Sequence, residues 1–327
     1  MTDLPQHLWM APLSAALISG VVLTMLLRRP GVLVDVPNQR SLHQRPVPRT
    51  GGIAIVLGAL GACALLVPGG RTVITLALLV SLVSLLDDWR RLPAAPRFAV
   101  QLVLAAVFVR YGLGGAPLAQ AVFVVLTVVW VANLFNFMDG SDGLAGGMAL
   151  IGFSFYGLAA WLAGHPIIST ISFSIAAAAA PFLVFNFHPA RIFMGDAGSV
   201  TLGFLAAALG ILGWREGTWS PFLPVFVFSP FIADASLTLL RRVLARERFW
   251  QPHREHYYQK LVRMGWGHRN TALAEYALML IAGAAGIASA SLDGVSQLAA
   301  LLGWGAVLLL MAFLVDRNWA GHSPAAG

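Results

Sequence analysis

The residues with the clearest capacity for chemistry lie in one stretch, Asn133 to Gly147, which reads NLFNFMDGSDGLAGG. It holds two carboxamides (Asn133, Asn136), two carboxylates three residues apart (Asp139, Asp142) and four glycines, directly after an apolar run. Ionisable groups near a bilayer are costly and mark function by default. Glycines let a backbone turn tightly and let a ligand approach it. Oxygen-only donors favour Mg²⁺, with Mn²⁺ as the alternative, over zinc. No Glu occupies the twelfth position that an EF-hand loop requires. Asp142 also suits a turn or capping role before the next helix; Asp139 suits it less.

Four further groups share this character. Asp87 and Asp88 end an apolar run, where negative charge opposes the helix dipole and two adjacent acids repel; a divalent cation or the nearby Arg90, Arg91 and Arg97 can offset both. Arg45 to Gly52 (RPVPRTGG) is basic and proline-stiffened, and its paired glycines open a helix; with Arg45 and Arg49 it reads as an anion site or as a plain positive-inside loop. Asn186 to Ser199 (NFHPARIFMGDAGS) offers Asp196 as a functional acid or an N-cap, and Phe193 as a stacking face or ordinary interfacial packing. His253, Arg254 and His256 lie in a basic segment that also holds Lys260, the chain's single lysine; placed on one helix face at i, i+3, the histidines suit a diphosphate clamp, an interfacial basic helix or, least well, a two-His metal site.

The elements that must position these residues are membrane helices. The 327 residues are 58% hydrophobic and 11% charged, with mean hydropathy +0.77, whereas soluble domains are about a quarter charged. Apolar runs at 8–27, 51–68, 72–86, 98–113, 117–135, 146–163, 167–185, 198–213, 219–240, 271–290 and 296–315 predict an all-α polytopic protein of about 11 spans. Chain 1–327 reads as a single integral-membrane domain. The first run lacks a basic n-region and reads as an anchor rather than a cleaved signal. With the N-terminus outside and the C-terminus cytoplasmic, every Lys and Arg falls inside except Arg71, Arg110 and Arg215. The same alternation puts loops 28–50, 87–97, 136–145, 186–197 and 241–270 on the cytoplasmic face and leaves bland outer connections. The net charge of +7 is accounted for by topology, anionic membrane lipids and an anionic substrate, so nucleic acid is not an expected partner. The lone Cys63 excludes an internal disulfide and a Cys-based zinc site. The tail 323–327 is expected to be disordered.

In order and together, RPVPRTGG at 45–52, Asp87-Asp88, the Asn133–Asn136–Asp139–Asp142 loop, Asn186 with the FMGD run ending at Asp196, and His253–His256 resemble the bacterial polyprenyl-phosphate N-acetylhexosamine-1-phosphate transferases (glycosyltransferase family 4). The segment from Glu247 looks most like the O-antigen-initiating branch; the triple histidine of the peptidoglycan branch is missing, which argues against a muramyl-pentapeptide substrate. The resemblance implies a Mg²⁺-dependent exchange in the bacterial inner membrane, with the active site facing the cytoplasm. Undecaprenyl phosphate attacks a UDP-N-acetylaminosugar and UMP leaves. It further implies Asp196, with Asp88, as metal ligand, and Asp87 as the base or orienter of the lipid phosphate. Asp139 and Asp142 would hold the nucleotide end or a water beyond the metal's own ligands, Phe193 would stack on uracil near Asn186, and His253, Arg254 and His256 would grip the diphosphate or sugar. Dimers occur in the superfamily, so a homodimer is an allowed assembly. The rival class is an ion-coupled transporter, whose carboxylates sit at mid-membrane.

Overall fold

The computed structural model describes residues 9–28, 33–37, 42, 45–90, 92–248 and 253–322. Arg91, the tail 323–327 and parts of the 28–50 and 241–270 loops lie outside the described residues. Each of the eleven apolar runs is a helix: α1 (Met10–Arg28), α2 (Gly51–Leu66), α3 (Arg71–Arg90), α4 (Ala94–Gly112), α5 (Leu118–Phe137), α6 (Leu144–Leu162), α7 (Pro166–Asn186), α8 (Asp196–Arg215), α9 (Phe222–Leu244), then a short α10 (Tyr257–Leu261), α11 (Gly267–Ala288) and α12 (Gly294–His322). Among the described residues, nine helical stretches are long and apolar enough to cross a membrane. The 16-residue α2 and the polar-marked α4, with Arg97, Gln101 and Arg110, fall outside that set. A two-residue antiparallel ladder, β1 (Val34–Asp35) with β2 (Val47–Pro48), pairs Val34 with Pro48 and Asp35 with Val47.

Proline sets several helix starts: Pro93, Pro117 and Pro221 are N-caps and Pro166 is a first-turn residue, positions where the missing N–H costs nothing. The most enclosed helix is α8, which packs against α2, α3 and α5. Small residues allow this. A Cβ on Gly52 would lie 2.3 Å from the Cα of Gly198, and one on Gly203 would lie 2.6 Å from the Cα of Ala132. In lipid, where association depends on van der Waals packing, such small-residue contacts let backbones meet. The Gly52–Gly198 crossing brings the starts of α2 and α8 together.

Several expectations are corrected. Asp87 and Asp88 are not in a loop: α3 continues through Arg90, and both acids are only 4% exposed. The amides of Gly51 and Gly52 are not free for an anion, because they donate to the carbonyls of Phe193 (2.9 Å) and Met194 (2.8 Å). The paired glycines serve close packing instead. The 241–270 segment is shorter as a loop than its polarity suggests, since α9 runs to Leu244 and helical structure resumes at Tyr257. His253 and His256 do not share a helix face: 253–255 are non-helical and His256 is the N-cap of α10.

Candidate active site

Four carboxylates from three segments surround the N-terminus of α8. Gly195, at φ +78°, turns the chain into the helix, and a Cβ there would lie 2.4 Å from the Arg49 carbonyl oxygen and 3.2 Å from Asp88 Oδ2. Asp88 Oδ2 accepts the Ala197 N–H at 3.1 Å, and Asp139 Oδ2 accepts the Gly195 N–H at 3.1 Å. The free amides of this helix start are therefore capped by acids from α3 and from the α5–α6 loop, which the helix dipole favours. The N-cap reading of Asp196 falls away: Gly195 is the N-cap, and the Asp196 carboxylate faces Arg97 at 3.3 Å.

Two arginines lace the cluster. Arg97 Nη1 donates to Asp87 Oδ2 at 2.8 Å and to Asp196 Oδ2. The other Asp87 oxygen accepts the Leu92 N–H at 2.8 Å. Arg49 Nη2 donates to the Asp88 carbonyl at 2.9 Å and lies 3.2 Å from Asp88 Oδ1. These bonds offset the unfavourable position of Asp87 and Asp88 at the C-terminus of α3. The four acids outnumber the two guanidiniums. Burial first, then Asp196 and Asp88, push the Asp139 carboxyl well above the usual carboxylate range, against the pull of the Gly195 amide.

This surplus of negative charge fits a divalent cation. Asp88 Oδ1 is buried without a hydrogen bond, and the donors are oxygens only, which suits Mg²⁺. Among the described residues no three His, Cys, Asp or Glu converge as a closed metal cage. Mg²⁺ does not need one, because it is held by one or two carboxylates together with substrate phosphates.

The other sequence-level candidates separate into neighbours. Asn136 Oδ1 accepts the Ser199 hydroxyl at 2.7 Å and braces the same helix start. Asn133 sits one turn deeper and donates to Gln101 Oε1 on α4 at 2.7 Å. Asp142 does not cap α6, whose N-cap is Gly143. Its Oδ2 contacts His188 Nδ1 at 2.7 Å and accepts the Ala190 N–H at 3.1 Å. Asn186 is buried and its amide joins two loops, accepting the Gly143 N–H at 3.0 Å and donating to the Ile192 carbonyl at 2.9 Å. Phe193 is half-buried, and its N–H donates to the Pro48 carbonyl. Arg45 is exposed.

The histidine turn is held from below. His253 and His256 face each other with ring centroids 4.9 Å apart. Burial first, then His256 and Arg242, hold His253 down at about 4, so its ring is neutral, and its Nδ1 is buried without a hydrogen bond. Arg254 is half-buried, and its carbonyl accepts from Arg263. Lys260 does not join a clamp with them: its ammonium pairs with Asp316 of α12 at 2.8 Å. Arg242 grips Glu247 and Glu255, each at 2.7 Å, and so closes the loop before the turn.

Sequence reasoning missed Asp234 on α9, and with it the pair His188 and His268, whose rings stack at 5.3 Å beside Asp142. A signal for Asp234 was present. It is the one acid in the apolar run 219–240, and an intramembrane carboxylate is a functional candidate by default.

Comparison with known proteins places the chain in a family. Residues 71–214, which carry Asp87, Asp88, the 133–147 loop and Asp196, match the family model described as Glycosyl transferase family 4. The chain is 31% identical over 288 residues, covering 81% of itself and 80% of the relative, to a probable undecaprenyl-phosphate N-acetylglucosaminyl 1-phosphate transferase of Bacillus subtilis. It is 32% identical, covering 83% and 80%, to a decaprenyl-phosphate N-acetylglucosaminephosphotransferase of Mycobacterium tuberculosis. It is 27% identical, covering 72% and 71%, to the undecaprenyl-phosphate alpha-N-acetylglucosaminyl 1-phosphate transferase of Escherichia coli K12. With its carboxylate-ringed helix start inside a bundle of membrane helices, the chain belongs to glycosyl transferase family 4, in the group of polyprenyl-phosphate N-acetylhexosamine-1-phosphate transferases.

Proposed function

We propose that this protein transfers an N-acetylaminosugar 1-phosphate from a UDP-sugar to undecaprenyl phosphate, releasing UMP, as the first membrane step of O-antigen or a related envelope polysaccharide. The names of these relatives make N-acetylglucosamine the first sugar to test. The observation that carries the reading is the cluster of Asp87, Asp88, Asp139 and Asp196 with Arg49 and Arg97 around one helix N-terminus.

The reaction exchanges one phosphoanhydride for another. An oxygen of the lipid phosphate bonds to the β-phosphorus, the bond from that phosphorus to the bridging oxygen breaks, and UMP departs with the electron pair. Little covalent work falls to the protein, so positioning and charge compensation supply the rate. Arg49 and Arg97 already face the acids and can turn toward phosphate oxygens. Asp87 is fixed by two donors and orients the incoming lipid phosphate. Asp88 and Asp196 would hold Mg²⁺, which when bound offsets phosphate charge. His253, Arg254 and His256 would grip the diphosphate or sugar.

The positive-inside pattern supports about eleven spans in a bacterial cytoplasmic membrane, with the N-terminus outside and the cluster facing the cytoplasm, where a nucleotide sugar and an inner-leaflet phosphate meet. The test is UMP release by purified protein given undecaprenyl phosphate, Mg²⁺ and a panel of UDP-N-acetylaminosugars. Release with one sugar supports the proposal. No release from folded protein with any sugar in the panel contradicts it.

A further inference from the structure

Asp234 is buried in the interior of α9 at 5% exposure, where a carboxylate is costly. Its backbone and hydroxyl partners all donate. Oδ1 lies 3.0 Å from His256 Nδ1 and accepts the Tyr257 N–H at 2.9 Å and the Thr238 hydroxyl at 3.3 Å; Oδ2 accepts the Tyr258 N–H at 2.9 Å. Three of these partners belong to the turn that starts α10. Behind Asp234 lies a mainly apolar cavity of about 390 Å³ bordered by Leu237, Leu278, Leu308 and Met311, a low-dielectric setting that strengthens such bonds.

We infer that Asp234 is a positioning residue that holds His256 with its proton on Nδ1 and locks the histidine turn to the Asp139 loop. A carboxylate whose neighbours all donate can only accept, so the ring nitrogen facing it must carry hydrogen. Nε2 is then the acceptor nitrogen of the ring. The second half of the lock follows from the same turn. The His256 ring stacks at 5.9 Å on Phe137, the Tyr258 hydroxyl donates to the Phe137 carbonyl at 3.1 Å, and a Cβ on Gly140 would lie 2.1 Å from that hydroxyl. Phe137 and Gly140 bracket Asp139. One carboxylate thus sets both the orientation of a histidine and its distance from the carboxylate cluster.

This inference rests on the transferase reading for its kinetic test, and a second measurement stands without it. Asp234→Asn keeps the shape but can offer the ring a donor in place of an acceptor. In the UMP-release assay it should lower kcat by about 100-fold and leave KM within a few-fold. In a His256→Ala background the same change should cost much less. Equal losses in both backgrounds would overturn the inference. Nitrogen-15 NMR of histidine-labelled wild-type protein, without substrate, should show His256 protonated on Nδ1; a proton on Nε2 alone would overturn it, even where Asp234→Asn fails to fold or the wild type releases no UMP.

Discussion

The two ends of α8 follow one electrostatic rule and reach different outcomes. At its C-terminus Arg215 complements the dipole and donates to the Gly112 carbonyl, while the Trp219 indole donates to the Gly210 carbonyl at 3.0 Å. Here a few local groups satisfy the helix end. At its N-terminus the acids arrive from α3, the α5–α6 loop and α8 itself, and outnumber the arginines. Capping needs one or two acceptors; four carboxylates exceed it. The excess is more than a cap requires, and in the proposed reading it serves a cation and phosphates.

That contrast can be broken most sharply at Asp196. Asp196→Asn should lower UMP release about 1,000-fold, the scale on which preorganised charge acts, while thermal unfolding shifts little. Next comes Arg97→Ala, which leaves Asp87 and Asp196 without their shared partner. Its expected cost is about 2 kcal/mol, less than for a fully buried pair because about a third of that side chain is exposed; chemical or thermal denaturation together with turnover would measure it. Gly52→Ala should cost about 1–3 kcal/mol through overpacking at Gly198 and lower activity by shifting the α2–α8 crossing. A stable and fully active Gly52→Ala protein would show that this contact does not set the site.

The pH dependence sharpens the comparison further. Asp139 has a raised folded pKa, so the folded state binds its proton more tightly than the unfolded chain does. The destabilisation from ionising it is present above the folded pKa and is relieved as pH falls through that value. Asp139→Asn should therefore raise thermal stability at neutral pH and leave it nearly unchanged in acid. The smallest effect belongs to the outer end: Arg215→Ala should alter stability by no more than about 1 kcal/mol and turnover by less than about two-fold. A large loss of turnover there would erase the distinction between the two ends.

Much of this architecture was legible in the chain. Apolar runs located the eleven long helices described; Asp87 and Asp88 stood out as adjacent acids before arginines and Asp139 as an acid beside glycines, whereas Asp196 read equally as an N-cap. What escaped reading depends on contacts between residues far apart in sequence. Arg97 could be named as a neutralising charge for Asp87, but not as the bridge from α3 to α8. The Gly51–Gly52 pair looked like a helix start open to anions, because nothing local shows that Phe193 and Met194 take its amides. His253 and His256 were read as meeting on a helix face; they meet at an N-cap turn held by Asp234, twenty-two residues earlier than His256. Hydropathy reports burial well and tertiary partners poorly, so an isolated acid within an apolar run is the signal to weigh more heavily.

The most direct test of the central claim is Mg²⁺-dependent UMP release from UDP-N-acetylglucosamine and undecaprenyl phosphate, comparing wild type with Asp196→Asn. The account predicts release by the wild type that EDTA abolishes, Mg²⁺ restores and Asp196→Asn nearly eliminates. Wild-type release that survives EDTA, or near-normal turnover by folded Asp196→Asn protein, would contradict the assignment of the α8 cluster as a cation and phosphate site.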